Sequence, residues 1–348
     1  MFYLKYRPKK IEEIDNERVK DIVKNILKEK TPPHALLFIG QKGTGKTSTA
    51  RIFAKAVNCQ ENKFNKKNSS AIEPCGKCSN CAMIDNSTSP DVVEMDAASN
   101  RGIEDIKKLI KEAAFFPMNT KYRVFIIDEA HMITTDAFNA LLKTLEEPPS
   151  SVIFILATTN LEKIPKTIVS RCSIVNFGKA KKSDIIDMLN RIAKGENLKT
   201  DEKLFSLIAT QADKSFRDAA KSYEELVIQN KLNYEDAKNF LGVARNDFWE
   251  VIKNRNLAKT LAWIKDFSGN GGNVKNLIEE LLEELHVSLL ATNGVSIEVE
   301  ESIKLNKTEI VLLLKLLSEA YQNLRYSPIE SLPLELAIVE FYNKSKPN

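Results

Sequence analysis

A short apolar run, Ala35-Leu36-Leu37-Phe38-Ile39, leads directly into Gly40-Gln41-Lys42-Gly43-Thr44-Gly45-Lys46-Thr47, and residues 48–57 then read as a helix. The pattern G-x-x-x-x-G-K-T between a strand and a helix restricts the chain to a small set of folds. Its glycines let the backbone curl so that successive N–H groups converge on an anion. The helix that follows turns its positive end toward the same point. Lys46 is then placed to reach the β- and γ-phosphates and the Thr47 hydroxyl to hold Mg²⁺. The motif predicts a nucleoside triphosphate site. A chance glycine turn would match the letters without the strand before it and the helix after it.

Further strand-like runs follow at 91–96, 124–127, 152–157 and 173–177. They alternate with amphipathic stretches at 103–114 and 135–145, the latter stopped by Pro148-Pro149. A helix over Glu17–Lys28 precedes the loop, with Val19, Ile22, Val23, Ile26 and Leu27 at helical spacing. This alternation predicts a doubly wound α/β domain over 1–178 with buried parallel strands. After Gly178 no strand run recurs. Residues 179–242 read as short amphipathic helices and 243–348 as longer ones, notably 274–290 and 307–324. The second of these is apolar around much of its circumference, which implies burial in its own domain or in a subunit interface. A chain of 348 residues, 43% hydrophobic and 28% charged, accommodates these two or three domains. No apolar run reaches the length of a membrane span and no signal-peptide pattern opens the chain, so a cytoplasmic location with no membrane partner is expected. The net charge of +4 permits contact with nucleic acid without arguing for it.

Val124-Phe125-Ile126-Ile127-Asp128-Glu129 is an apolar strand ending in two acids. Asp128 suits Mg²⁺, and Glu129 suits the orientation or deprotonation of an attacking water. Solvated acids at a strand end are the plain alternative. His131 reads as structural.

Four of the five cysteines fall at 59, 75, 78 and 81. Cys75-x₂-Cys78-x₂-Cys81 with Cys59 upstream offers four thiolates to one tetrahedral ion. Iron–sulfur ligation shares such spacing. Zn²⁺ is preferred, because nothing else in the chain implies redox chemistry and a closed Cys₄ site would stabilise an insertion outright.

In order, Tyr6-Arg7-Pro8, Gly40 to Thr47, the four cysteines, Asp128-Glu129-Ala130-His131, the run Leu141-Leu142-Lys143-Thr144-Leu145-Glu146-Glu147-Pro148-Pro149, Ala157-Thr158-Thr159, Ser170-Arg171-Cys172 and Ser215-Phe216-Arg217-Asp218 resemble the gamma/tau subunit family of the bacterial DNA polymerase III clamp loader, which are AAA+ ATPases. The likeness is dense over 1–220. The resemblance implies a P-loop AAA+ parallel-sheet domain (1–178) with a zinc-binding insertion at about 59–81, a helical lid (179–242) and an all-helical collar for oligomerisation (243–348). It implies that ATP and Mg²⁺ are held by Gly40, Gly43, Thr44, Gly45, Lys46, Thr47 and Ser48, with Tyr6, Arg7 and Pro8 lining the adenine. Thr159 matches the sensor of the γ-phosphate, with Thr158 beside it. Arg171 matches the arginine finger given to the next subunit's site, and Arg217 the second sensor on the lid.

The function so implied is an ATP-hydrolysing motor in a hetero-oligomer. It would load the sliding clamp onto primed DNA with delta- and delta-prime-like subunits and further copies of itself. The alternative is a nucleotide-binding structural subunit of the same assembly without turnover. A DNA-translocating motor is a third reading, against which the Cys₄ insertion and Ser-Arg-Cys stand.

Lys214 departs from the family's frequent glycine at that position. In ending at 348 the chain is gamma-like in extent. Phe115-Phe116-Pro117 reads equally as core or as a clamp contact. Arg101, Lys107, Lys108 and Lys111 read equally as a DNA-backbone track or as a solvated helix face.

Overall fold

In the computed structural model the described residues are 1–66, 69–100, 102–212, 214–234, 236–237, 245–269, 272–295 and 305–345. They fall into two compact units, Met1–Asn230 and Lys231–Asn348. The boundary expected at 243 lies outside the described residues.

The first unit is built on a five-stranded sheet of β1 (Ala35–Gly40), β2 (Val92–Asp96), β3 (Arg123–Asp128), β4 (Val152–Thr158) and β5 (Ser173–Gly178), in the order β2-β3-β4-β1-β5 with every neighbour parallel. The predicted strands are all present, each within a residue or so of its expected ends.

Alternate residues of each strand feed opposite layers, as a two-residue side-chain period requires. Leu36, Phe38, Val124, Ile126, Ile153 and Ile155 pack with α2 (Glu17–Lys28) and α3 (Lys46–Asn58). Leu37, Phe125, Ile127, Phe154 and Leu156 pack on the other face with α5 (Ile103–Ala113) and α6 (Thr135–Glu146). A fully apolar run is stable only where both faces are covered, which is why β4 is buried along its whole length.

This strand order sets the site. β4 lies between β1 and β3, with Ile39 opposite Thr158 and Ile127 opposite Leu156. The loops leaving β1, β4 and β3 therefore emerge side by side at the carboxyl edge, where α/β sheets bind ligands. Three further helices, α8 (Lys182–Gly195), α9 (Glu202–Gln211) and α10 (Phe216–Ile228), complete the unit, as does a one-turn N-terminal helix α1 (Phe2–Lys5) that packs on α10. Between them in chain order lie α4 (Ser79–Asp85) and α7 (Lys166–Val169). The short α4 follows the third cysteine and was not predicted.

The second unit is helical, with helices at Arg245–Lys253, Leu257–Gly269, Val274–Thr292, Lys307–Asn323 and Leu332–Lys344 among its described residues. Its core joins Leu277, Ile278, Leu281 and Leu285 to Ile310, Leu313, Leu316 and Leu317 and to Leu334, Ile338 and Phe341. The leucine-rich helix is thus buried within its own unit. Asn306 and Glu309 form a reciprocal capping box at its start. No helix among the described residues is long and apolar enough to cross a membrane.

Candidate nucleotide site and cysteine cluster

β1 ends at Gly40, and the chain turns through Gly43 (φ +79°) and Gly45 (φ +94°) into α3. Because Gly45 occupies the left-handed region freely, the helix starts at Lys46, two residues earlier than expected. The loop is held by Thr44, whose hydroxyl donates to the carbonyl oxygen of Gln41 at 2.8 Å. Lys46 is only 5% exposed, and its ammonium donates to the carbonyls of Gly40 (2.9 Å) and Gln41 (2.8 Å). Burial pushes its pKa down, Glu129 and Asp128 pull it back up, and Arg217 pushes it down again. A buried ammonium beside a guanidinium calls for an anion.

At the end of β3 the carboxylate of Asp128 accepts from the Thr47 hydroxyl at 2.6 Å. The two side chains expected to hold Mg²⁺ are therefore in direct contact. Their oxygens are the hard donor set that Mg²⁺ prefers. Glu129 stands at φ +48°, a left-handed backbone unusual for a non-glycine residue. Its carboxylate accepts from the Thr159 hydroxyl at 3.3 Å and lies 3.4 Å from His131 Nδ1. The same ring nitrogen is 3.2 Å from the Thr158 hydroxyl, which is fully buried. Thr158, Thr159, Glu129 and His131 thus form one network. Nothing in the order of residues joins Glu129 to Thr159 or gives His131 more than a structural part.

The cleft over this edge is walled by Tyr6, Arg7, Pro8, Ile14, Asp15 and Asn16, by Met188 and Ile192 of α8, and by Phe216, Arg217 and Ala220 of α10. Residues 42–49 with Asp128 and Glu129 form its floor. Arg7 donates from Nε to the Ser48 hydroxyl at 2.8 Å. Burial lowers the Arg7 pKa, and Arg51 and Arg217 lower it further against Glu94 and Asp128. The Arg217 guanidinium thus disfavours the charge of both Arg7 and Lys46, a field suited to a polyphosphate. Tyr6 is seated through Gly195: a Cβ there would meet its hydroxyl at 2.4 Å. That hydroxyl donates to Glu196 at 2.8 Å.

Arg191, which sequence reading missed, reaches the wall from α8. It pairs with Asp15 at 2.8 Å and donates to the carbonyls of Glu13 (3.3 Å) and Tyr6 (3.4 Å). Burial nevertheless raises the Asp15 carboxyl to about 6. Lys214, just before α10, has φ +60°, the conformation that glycine adopts without strain. Arg217 still faces the cleft, so the substitution keeps the register.

The four thiol sulfurs of Cys59, Cys75, Cys78 and Cys81 lie within 4.8 Å of one another. Zn–S bonds of about 2.3 Å around a tetrahedron put sulfurs about 3.8 Å apart, so the set is compatible with one ion. Backbone N–H groups support it: Cys75 N donates to Cys59 Sγ at 3.3 Å, and Lys77 N and Cys78 N donate to Cys75 Sγ at 3.4 and 3.3 Å. Burial pushes the Cys75 thiol up, but such bonds and the neighbouring thiols outweigh it and bring its pKa down to about 7, whereas burial raises Cys59 and Cys81.

Arg171 is not among the residues lining the cleft. Its guanidinium pairs with Glu146 and donates to the carbonyl of Thr167 at 2.6 Å. Phe115 and Phe116 are 67% and 84% exposed, so the core reading of this pair is wrong. The fully buried carboxylate of Asp91 gathers the loop beyond them, accepting from the backbone of Met118 (2.7 Å), Asn119 (2.7 Å) and Thr120 (3.0 Å), and leaves the phenylalanines outside. Lys107, Lys108 and Lys111 are exposed on α5, and Lys107 pairs with Glu104 at 3.1 Å. Arg101 lies outside the described residues.

A parallel sheet with this strand order, a phosphate loop at its edge, helical closure over the cleft and a separate helical unit define a P-loop ATPase fold of the AAA+ type. A family model described as DNA polymerase III, delta subunit, matches residues 15–181. The chain is 34% identical to DNA polymerase III subunit gamma of Buchnera aphidicola subsp. Baizongia pistaciae, over 88% of this chain and 81% of that one. It is 33% identical to DNA polymerase III subunit tau of Bacillus subtilis, over 99% of this chain and 63% of that one. It therefore spans less than two thirds of the length of that tau subunit. Among solved structures, the Thermotoga maritima RuvB Holliday junction branch migration motor matches with a TM-score of 0.49 at 17% identity, over 84% of this chain and 86% of that one. The chain belongs to the gamma/tau subunit family of bacterial DNA polymerase III.

Proposed function

We propose that the chain is an ATP-hydrolysing motor subunit of a DNA polymerase III clamp loader. One observation supports this most strongly: Lys46, the Thr47–Asp128 contact and the Glu129–Thr159 contact converge at one sheet edge. Gly40, Gly43, Thr44, Gly45, Lys46 and Ser48 would hold the phosphates, and Tyr6, Arg7 and Pro8 would flank the base. Thr47 and Asp128 would hold Mg²⁺, which supplies charge neutralisation at the β- and γ-phosphates. Glu129 would orient and deprotonate the attacking water, and Thr159 would link it to the γ-phosphate. Arg217 would neutralise developing charge from the lid side of the same cleft. Arg171, turned away from its own cleft, would act on the site of the next subunit, so turnover would depend on assembly.

Cys59, Cys75, Cys78 and Cys81 would hold Zn²⁺ as a closed structural site. The all-helical second unit would serve as the collar. Delta- and delta-prime-like subunits and further copies of this chain would complete a hetero-oligomer. The exposed Phe115-Phe116 tip would meet the sliding clamp, and the α5 lysines would follow the backbone of primer-template DNA. ATP binding would favour the clamp-binding arrangement, because the ligand has different affinities for the two states.

The test is ATP turnover by the assembled complex with and without clamp and primed DNA, beside the Lys46→Ala variant. Turnover stimulated by both and abolished by Lys46→Ala is expected. Undiminished clamp loading by Lys46→Ala would refute the motor reading.

A further inference from the structure

The segment from Met1 to Asn16 crosses one wall of the cleft like a strap. Its two ends are fastened to different parts of the first unit. At the start, the Met1 amino group and the Phe2 N–H reach Glu224 of α10 at 3.2 and 3.0 Å. Lys5 and Tyr6 reach Glu196 beyond α8 at 2.7 and 2.8 Å. Farther along, a single one-turn helix, Ile11–Glu13, carries the strap over the sheet. Its capping residue Lys10 offers no side-chain cap. The N–H of Ile11 instead donates to Glu73 Oε1 at 2.7 Å. Glu73 is two positions before Cys75, at the root of the cysteine knuckle. Ile72 beside it packs into the core that Ile11 and Ile14 enter.

The knuckle has a second attachment to the nucleotide side, through α3. Cys59 is the residue that ends this helix. Asn80 donates to the carbonyl of Asn58 at 2.9 Å, and the fully buried Lys55 pairs with Asp85 at 2.7 Å. Thirteen residues of helix, buried along most of their length, separate this attachment from the phosphate loop. The strap offers a shorter route. Arg7 and Pro8, four and three positions before Ile11, are themselves walls of the cleft, and Arg7 touches Ser48 at the head of α3.

We infer that Glu73 is a positioning residue for nucleotide: it clamps the strap to the cysteine knuckle, so that metal held by the knuckle sets the placement of Tyr6, Arg7 and Pro8 against the bound nucleotide. This rests on the nucleotide reading of the cleft and goes beyond it by assigning the knuckle a role in affinity. A carboxylate accepting from a backbone donor at the start of a helix is a local tie. Freeing the Ile11 turn releases the wall without touching the phosphate loop.

The experiment uses the full chain with zinc content measured, a fluorescent ATP analogue as the probe, and amide hydrogen exchange over residues 7–14. Glu73→Ala with zinc retained is expected to weaken analogue binding roughly tenfold and to speed exchange of the strap amides. Glu73→Gln keeps an accepting oxygen and should recover most of both. Chelating the metal from the wild type should reproduce the Glu73→Ala values, and chelation of Glu73→Ala should add little, because two perturbations of one linkage are not additive.

Unchanged affinity in zinc-loaded Glu73→Ala overturns the inference. So do fully additive effects of variant and chelation, which would assign the coupling to α3. Failure of the wild type to take up the analogue would overturn the cleft reading and the inference with it. The two failures are distinguishable: the inference alone fails when the wild type takes up the analogue and Glu73→Ala binds it equally well, whereas the cleft reading fails when the wild type takes up none.

Discussion

Phe216 donates its backbone N–H to the carbonyl oxygen of Gly43 at 3.1 Å, so the first residue of α10 rests on the phosphate loop itself. Ser215 completes the contact. A Cβ on Gly43 would stand 2.0 Å from its hydroxyl oxygen, at a backbone φ of +79°. Loop and closing helix are therefore one mechanical element, and a shift of the loop is felt at Arg217 one residue further on.

Gly43→Ala is accordingly expected to destabilise the first unit by about 2 kcal/mol, from left-handed strain together with displacement of Ser215. Nucleotide affinity should fall with it. Gly43→Ala combined with Ser215→Gly should recover the part due to the collision and leave the part due to φ. Urea unfolding of the three variants separates the two. Equal stability of Gly43→Ala and wild type would contradict the contact.

Glu129→Gln removes the carboxylate proposed as the base but keeps a group of the same shape beside Thr159 and His131. Nucleotide binding should persist, while turnover by the assembled complex drops by about 10²–10⁴. Lys46→Ala should lose both. If Glu129→Gln turned over at the wild-type rate, the chain would instead be a nucleotide-holding structural subunit.

Much of this edge is legible in the sequence because its parts are local. Apolar runs specify buried strands, and the spacing from Gly40 to Thr47 specifies a glycine-turned loop between a strand and a helix. The cysteine spacing likewise brings thiolates together with little help from the rest of the fold. What the sequence conceals are pairings made by elements crossing in space. Nothing in the order of residues joins Ser215 to Gly43, Arg191 to Asp15, or Glu146 to Arg171. The helix α4 was concealed for another reason. It is seven residues long and starts inside the cysteine motif, too short to show a period. Lys214 kept the motif in register while hiding its positive φ, because a side chain's identity reveals strain only when the backbone is seen.

Asp15 predicts a pH dependence. Burial, helped by Asp184 and opposed by Arg191 and Lys20, raises its carboxyl to about 6 from an ordinary 3.8. The folded chain thus holds this proton more tightly than the unfolded one. The resulting stabilisation is complete below about pH 4 and is lost as pH rises through about 6. Asp15→Asn cannot ionise. Its stability relative to wild type should therefore climb with pH by on the order of 3 kcal/mol between about pH 4 and 6, then level off. Thermal melts of the two proteins across that window measure the difference. A difference that stays flat, or falls, would mean that Arg191 holds Asp15 charged throughout.

Arg171 is tied to Glu146 and the Thr167 carbonyl on its own chain, outside its own cleft. Arg171→Ala should leave nucleotide affinity of the isolated chain within about twofold and lower turnover of the assembled complex by about 10³ or more, the loss typical of a trans-acting guanidinium. Mixing Arg171→Ala with Lys46→Ala copies tests the direction of donation. Complexes in which an intact Arg171 faces an intact Lys46 site should retain turnover, and those in which it does not should be inactive. Equal loss in every mixture would place Arg171 in a structural role within its own chain.

The Phe115-Phe116 tip carries the last prediction. A buried Asp91 spends its carboxylate on three consecutive backbone N–H groups of 118–120, which fixes a turn whose preceding residues are exposed and apolar. An exposed aromatic pair on a rigid turn loses little entropy on binding, the property of an interface anchor. Phe116→Ala should therefore change stability by less than about 0.5 kcal/mol, yet weaken binding of the sliding clamp by tenfold or more. Asp91→Ala should do the opposite first. It leaves the turn's backbone donors without their acceptor and destabilises the first unit by about 2 kcal/mol, with loss of clamp binding as a consequence. Surface-immobilised clamp and thermal melts of the two variants read both effects. Clamp binding by Phe116→Ala equal to that of wild type would remove the tip from the interface.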